Sequence, residues 1–288
     1  MIGMKNLGVA ALCTLAAATC CAVDVGVDAN GVYYVDVPSG ATETLIADWA
    51  DAAIANCGAF AKRGEGTLEV GDPMVNFAGE IRVEGGIYQV MTANGLGTVD
   101  GSTSVSNGAT LWFRSNGFCD GGTHENEKFY FSGNGYDDKG AMRITNTSRM
   151  PRHFTLLGDS LFTASITTES RNYGTIDMNH HTLTIRHDNR DDGAMFCLSY
   201  LKNAGDIILE RGSLQFQNLS SISGDSTCTM TVKKDGMWFN WATNYKMPWR
   251  LVLEDGARIR VASGALEKQT IWSGPIENEG TTTILPKA

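Results

Sequence analysis

Three observations predict an all-β chain coiled into a parallel β-helix, a solenoid. The composition is that of strands and turns: 33 glycines, many Thr, Ser, Val and Ile, and no long helical periodicity after residue 60. Apolar–x–apolar pairs then flank a turn residue repeatedly: "IRVEGGIYQV" at 81–90, "TSVSNGATLWF" at 103–113, "TIDMNHHTLTI" at 175–185, "DIILERGSLQF" at 206–216, "MTVKKDGMWF" at 230–239, "RLVLEDGARIRV" at 250–261 and "PIENEGTTTIL" at 275–285. Finally, the turn positions Gly86, Gly108, His181, Gly212, Gly236, Gly256 and Gly280 are separated by 22, 73, 31, 24, 20 and 24 residues. The step of 73 stands for three periods with drifted copies and an inserted loop. A period in this range marks units that cannot bury an apolar face alone and must stack on their neighbours. A sandwich would carry Asn-Gly or Asp-Gly hairpin signals between all its strands, and here the turn signals recur once per unit.

Taken in order, residues 1–22 read as a secretory signal peptide. Lys5 precedes the apolar run "LGVAALCTLAAATCCA", and cleavage is expected after Ala22. A lipid anchor on Cys20 or Cys21 is disfavoured, because Thr19 and Cys20 stand where a small residue is wanted. No later stretch has the roughly 18 apolar residues of a membrane-spanning helix. The mature chain is therefore expected to be secreted, extracellular or at the cell surface. Residues 23–60 form an N-terminal lead. Within 41–60, Leu45, Trp49, Ala52 and Ala53 have helical spacing, which suits a short capping helix over an exposed strand edge; the same run also reads as two strands entering the first repeat. Residues 61–288 are the repeats, with a loop inserted near 114–140.

Within a unit, alternation assigns the faces. In "DIILERGSLQF", Ile207 and Leu209 point inward before the turn and Leu214 and Phe216 after it, with Gly212 free to take the positive φ of the corner. The expected core comprises Ile81, Val83, Leu111, Leu183, Ile185, Ile207, Leu209, Leu214, Phe216, Val232, Phe239 and Leu253. In "MWFNWATNYKMPWR", 237–250, inward Met237, Phe239 and Trp241 would put Trp238 outside, with Tyr245 and Trp249 in the connecting turn.

The run "KRGEGTLEV … FAGEIRVEGGIYQV … GLGTVDGSTSVSNGATLWF", residues 62–113, resembles the autotransporter-associated β-strand repeat of bacterial passenger domains. Lys62, Gly64 and Gly66 with Thr67 and Leu68 match its lead, Gly79 to Gly86 its middle, and Gly108, Ala109 and Leu111 its end. The resemblance covers about 50 residues well and the later copies in outline. It implies a right-handed, single-stranded parallel β-helix displayed outside the cell, and no catalytic residues. The chain as written shows no outer-membrane barrel or sorting tail, which leaves open a free passenger, a fragment or a partner-anchored protein. His181 also stands where the repeat has Gly, in a turn that a histidine can adopt at some cost.

The formal charge of −9 becomes −10 when Lys5 leaves with the signal, and the basic residues are scattered, so nucleic acid and anionic membranes are poor partners. Cys57, Cys119, Cys197 and Cys228 remain, in no zinc-site spacing and with three possible pairings. Three clusters are candidate sites. Residues 113–142 carry Asp120, His124, Glu125, Glu127, Asp137 and Asp138 among glycines, in no known calcium-loop spacing, as a loop projecting from one face. Residues 186–195 carry Arg186, His187, Asp188, Arg190, Asp191 and Asp192, but no pectinase-like quartet is assembled. Residues 237–250 offer Trp238, Tyr245 and Trp249 as stacking platforms for a sugar or a protein patch. No cofactor or metal is expected. The expected function is a scaffold or adhesin that binds an extracellular glycan or surface protein through Trp238, Tyr245, Trp249, Asp137 and Asp138. The competing reading is a carbohydrate-active enzyme, which needs Asp137, Asp138, Asp188, Asp191 and Asp192 on one groove.

Overall fold

The computed structural model describes residues 22–46, 58–71, 74, 76–92, 95–114, 127–145, 150–167, 169–188, 195–216, 222–240, 246–261 and 271–286. The signal-peptide residues 1–21, the centre of the cap segment at 47–57, Cys57, Cys119, Asp191, Asp192 and Tyr245 lie outside them. Among the described residues there is no α-helix, only one 3-10 turn at Tyr136–Asp138.

The strands stack in parallel into a β-solenoid. A first face stacks Val32–Asp36, Ala59–Arg63, Glu80–Val83, Ser102–Val105 and Lys128–Gly133. A second face stacks Thr67–Val70, Gly86–Val90, Ala109–Phe113, Met142–Thr145, the end of His153–Ser165, and Leu183–His187. Beyond residue 165 a third face becomes regular, through Glu169–Arg171, Met195–Leu198 and the latter halves of Ile207–Phe216 and Thr229–Asn240. Register partners on the second face lie between 20 residues apart, Thr67 and Ile87, and 31 apart, Leu111 and Met142. The long step from Gly108 to His181 does hold three turns. Its drifted copies are hard to see because His153–Ser165 runs through its corner as one strand of 13 residues.

The glycine pattern at 62–86 reflects close backbone approach at the corners. A Cβ on Gly79 would lie 2.4 Å from the Gly58 carbonyl oxygen, and Gly86, at φ 58, packs its Cα 's open side against the Gly66 carbonyl and Lys62 Nζ. Lys62 is fully buried and donates to the carbonyls of Gly64, Gly66 and Gly85 at 2.6, 2.6 and 2.8 Å. Three carbonyls thus satisfy the three ammonium donors. Burial pulls its pKa down from 10.5 to about 8, with Asp36 acting in the opposite direction.

The interior is one apolar stack, in which Phe131, Phe154 and Phe162 meet edge to face at centroid distances of 5.1 to 6.0 Å. The expected core residues fill it, with one exception. Phe239 is buried but points outward, against Met195 and Cys197, and Trp238 takes the inward place in register with Leu214. The run Met237-Trp238-Phe239 is apolar throughout, so its alternation carries no phase. The corner at Gly212 and Gly236 sets the phase, and two residues beyond it is the inward position. The histidine corner also differs in detail: His180, at φ 63, and Asn179, at φ 46, take the left-handed conformation, and His181 does not. Cys197 and Cys228 are both buried, with Cys228 Sγ 3.5 Å from the Ala204 carbonyl.

The two ends differ. Asp24–Val27 folds back on Val32–Asp36 in the one antiparallel pairing among the described residues and covers the open edge of that strand. In the last described turn Ile276 and Ile284 continue the inward stacks of Leu251 and Ile259, yet are 57% and 66% exposed.

Candidate functional site: a charged groove on the second face

Stacking in register converts residues far apart in sequence into neighbours. On the second face one outward position reads Glu69, Gln89, Trp112, Arg143, Thr163, Arg186, Arg211 and Asp235 on successive turns. Every residue of this stripe is polar or aromatic, whereas the inward position beside it reads Leu68, Tyr88, Leu111, Met142 and Phe162. Alternation along each strand produces the two faces.

The lower part of the stripe forms the floor of an open groove of about 630 Å³. One wall is the segment 133–140. It is pinned by hydrogen bonds from Thr110 Oγ1 to the Gly140 carbonyl, 2.8 Å, from the Tyr136 amide to Thr110 Oγ1, 2.9 Å, and from Thr163 Oγ1 to the Lys139 carbonyl, 2.5 Å. Asp137 and Asp138 are both left-handed, at φ 52 and 55. Two adjacent non-glycine residues in that region are unusual, and such backbone persists only where its surroundings impose it. The twist leaves the Asp137 side chain 74% exposed at the groove rim.

The charges within the groove are matched. The Asp188 carboxylate lies 3.2 Å from Arg143 Nη2 and 3.2 Å from Arg211 Nη2. Arg186 reaches Asp138 at 3.0 Å and Glu210 at 3.4 Å, and Lys233 reaches the other Glu210 oxygen at 3.5 Å. Lys139 pairs with Asp137 at 3.4 Å. The five cations Lys139, Arg143, Arg186, Arg211 and Lys233 thus share the lining with five carboxylates, those of Asp137, Asp138, Asp188, Glu210 and Asp235. The arginine side chains are 21% to 32% exposed, enough to keep donors at the surface.

Trp112 heads the groove. Its Nε1 donates to Thr145 Oγ1 at 2.8 Å, which fixes the indole, and the guanidinium carbons of Arg143 and Arg114 lie 5.3 and 5.5 Å from ring centroids of the indole. The ring is half-buried.

Of the residues expected from sequence, Asp137, Asp138, Arg186 and Asp188 meet in this groove, although 137–138 and 186–188 belong to different clusters. His187 turns the other way, buried against Phe196. The segment 113–142 is not one projecting loop, since it contains the regular strand Lys128–Gly133. The aromatic platforms are corrected more sharply. Trp238 is 5% exposed and packs edge to face on Trp272, and Trp249 is fully buried. Both rings fill the solenoid and present no face to solvent. Trp112 was missed, although Leu111 and Phe113 facing inward already require it to face outward.

No family model, curated protein or solved structure matches the chain. The fold and the groove define its class, a parallel β-solenoid with a polar stripe along one face.

Proposed function

We propose that the chain is an exported, surface-displayed solenoid of the passenger type that acts as a scaffold or adhesin and binds an extracellular glycan or surface protein through the second-face groove. The observation that carries this reading is the stripe from Glu69 to Asp235, which gathers recognition groups from turns far apart in sequence onto one rigid wall. A solenoid fixes its inward residues by packing and leaves the outward ones free to be chosen for contact. The apolar N-terminal segment supports export. The test is expression in a secreting host, with the amino terminus of the exported chain read by mass spectrometry and the purified protein then assayed for binding to cell surfaces. A terminus at Val23 and saturable binding lost in a charge-swapped groove support the reading. Retention inside the cell, or absence of saturable binding, contradicts it.

One observation favours a second reading. Asp137, Asp138 and Asp188 converge with Arg143 and Arg186 on one groove across successive turns, as a polysaccharide lyase or glycoside hydrolase requires. Release of reducing sugar from a polysaccharide panel, abolished by Asp188→Asn with the fold intact, would establish the enzyme.

A further inference from the structure

We infer that the groove and Trp112 form a binding site for a neutral polysaccharide, laid along the solenoid axis, with Trp112 as the stacking platform and the Arg–carboxylate pairs as partners for sugar hydroxyls. This inference deepens the proposed binding role and rests on it.

The charge balance selects the ligand class. The groove lining is neutral overall, five cations against five carboxylates, on a chain of net charge −9. A polyanion would have to displace carboxylates from their arginines and approach against the field of the whole chain. A neutral hydroxyl-rich chain needs no displacement. A hydroxyl both donates and accepts, and an ion-paired guanidinium and carboxylate side by side offer a donor and an acceptor at fixed separation. Such charged partners make stronger hydrogen bonds than neutral ones. Arg143–Asp188–Arg211 and Asp138–Arg186–Glu210–Lys233 are two such alternating rows.

The geometry selects a polymer. Stacked strands are about 4.8 Å apart, so the neighbours Trp112 and Arg143, and again Arg186 and Arg211, are spaced at an interval similar to a sugar ring in an extended glycan, with the buried Thr163 between the two pairs. Four turns separate Trp112 from Arg211 along the stripe. The part-exposed indole of Trp112, over which Arg143 and Arg114 lie, suits pyranose rings, whose C–H faces and hydroxyl edges can meet the ring and the guanidiniums together. The hydrogen bond from Trp112 to Thr145 and the doubly left-handed wall at Asp137 and Asp138 hold both sides of the site in place before ligand arrives.

The test is native electrophoresis of the full chain in gels cast with galactomannan or mixed-linkage β-glucan as neutral probes, with polygalacturonate or alginate as acidic probes, and with gelatin as a peptide probe. Retardation by a neutral polymer is expected to persist between about 50 and about 200 mM salt, because no net charge is neutralised on binding. Trp112→Ala and Arg186→Gln should each weaken it about tenfold. Asp137→Ala, at the exposed rim, should weaken it several-fold, and serves where Trp112→Ala fails to fold. Retardation only by the acidic polymers, with steep loss in salt, or only by gelatin, overturns the inference and leaves the wider binding role standing. Retardation by none of the probes also overturns it, and the cell-surface assay then decides the wider role separately. Neutral-polymer binding that survives all three substitutions places the site elsewhere and overturns the inference as well.

Discussion

Two cationic regions of this solenoid, the corner at Lys62 and the groove on the second face, are built on opposite principles. At Lys62 the charge is wholly buried, its donors end on three backbone carbonyls, and burial drives its pKa down to about 8. Along the groove the cations stay part-exposed, and each is matched by carboxylates that are themselves part-exposed. A buried ion with saturated donors has nothing left for a ligand and can only hold turns together. A half-solvated ion pair contributes little to folding, because water screens it, and keeps its donors and acceptors available. The same charge therefore holds the fold in one region and faces solvent in the other.

Substitutions should separate the two regions by their effect on stability. The largest loss is expected in the inward stack that lies beneath both regions. Leu214→Ala, between Phe196 and Trp238 in register, should cost about 2 to 5 kcal/mol in denaturant unfolding. Lys62→Met should cost about 1 to 3 kcal/mol at neutral pH, since it leaves three carbonyls without their donor. Lys62 also has a pH signature. Its folded pKa lies below its unfolded value, so between about pH 8 and pH 10.5 the unfolded chain holds a proton that the folded chain has released, and stability rises with pH across that window. The rise is bounded at about 3 kcal/mol, is reduced by carbonyls that favour the charged form, and should be missing from Lys62→Met. Arg186→Gln, in the groove, should change stability by no more than about 0.5 kcal/mol. A loss comparable with that of Lys62→Met would mean that the groove pairs hold the fold, and would erase the distinction.

Much of the fold was legible in the sequence. Corner glycines and apolar–x–apolar pairs define the turns wherever a polar residue separates the apolar ones, as in "LTI" at 183–185 and "LQF" at 214–216, and Leu183, Ile185, Leu214 and Phe216 are all in the core. Legibility failed where that contrast disappears. Met237-Trp238-Phe239 offers no polar residue to mark the outside, and a strand running unbroken through a corner hides the turns at 128–165. The groove was legible only in pieces. Asp137, Asp138, Arg186 and Asp188 could be picked out as charged clusters, but they become neighbours through registers of 20 to 31 residues that sequence spacing does not fix. Trp112 needed no register, only the alternation of Leu111 and Phe113.

The central claim is that the outward stripe serves recognition and the inward stack serves folding, and Trp112→Ala tests it most directly when polysaccharide retardation and thermal unfolding are measured on the same protein. The account predicts that retardation by the neutral polymers falls about tenfold, while the midpoint of unfolding stays far closer to wild type than that of Leu214→Ala. An unfolding midpoint as low as that of Leu214→Ala, or retardation equal to wild type, would contradict it.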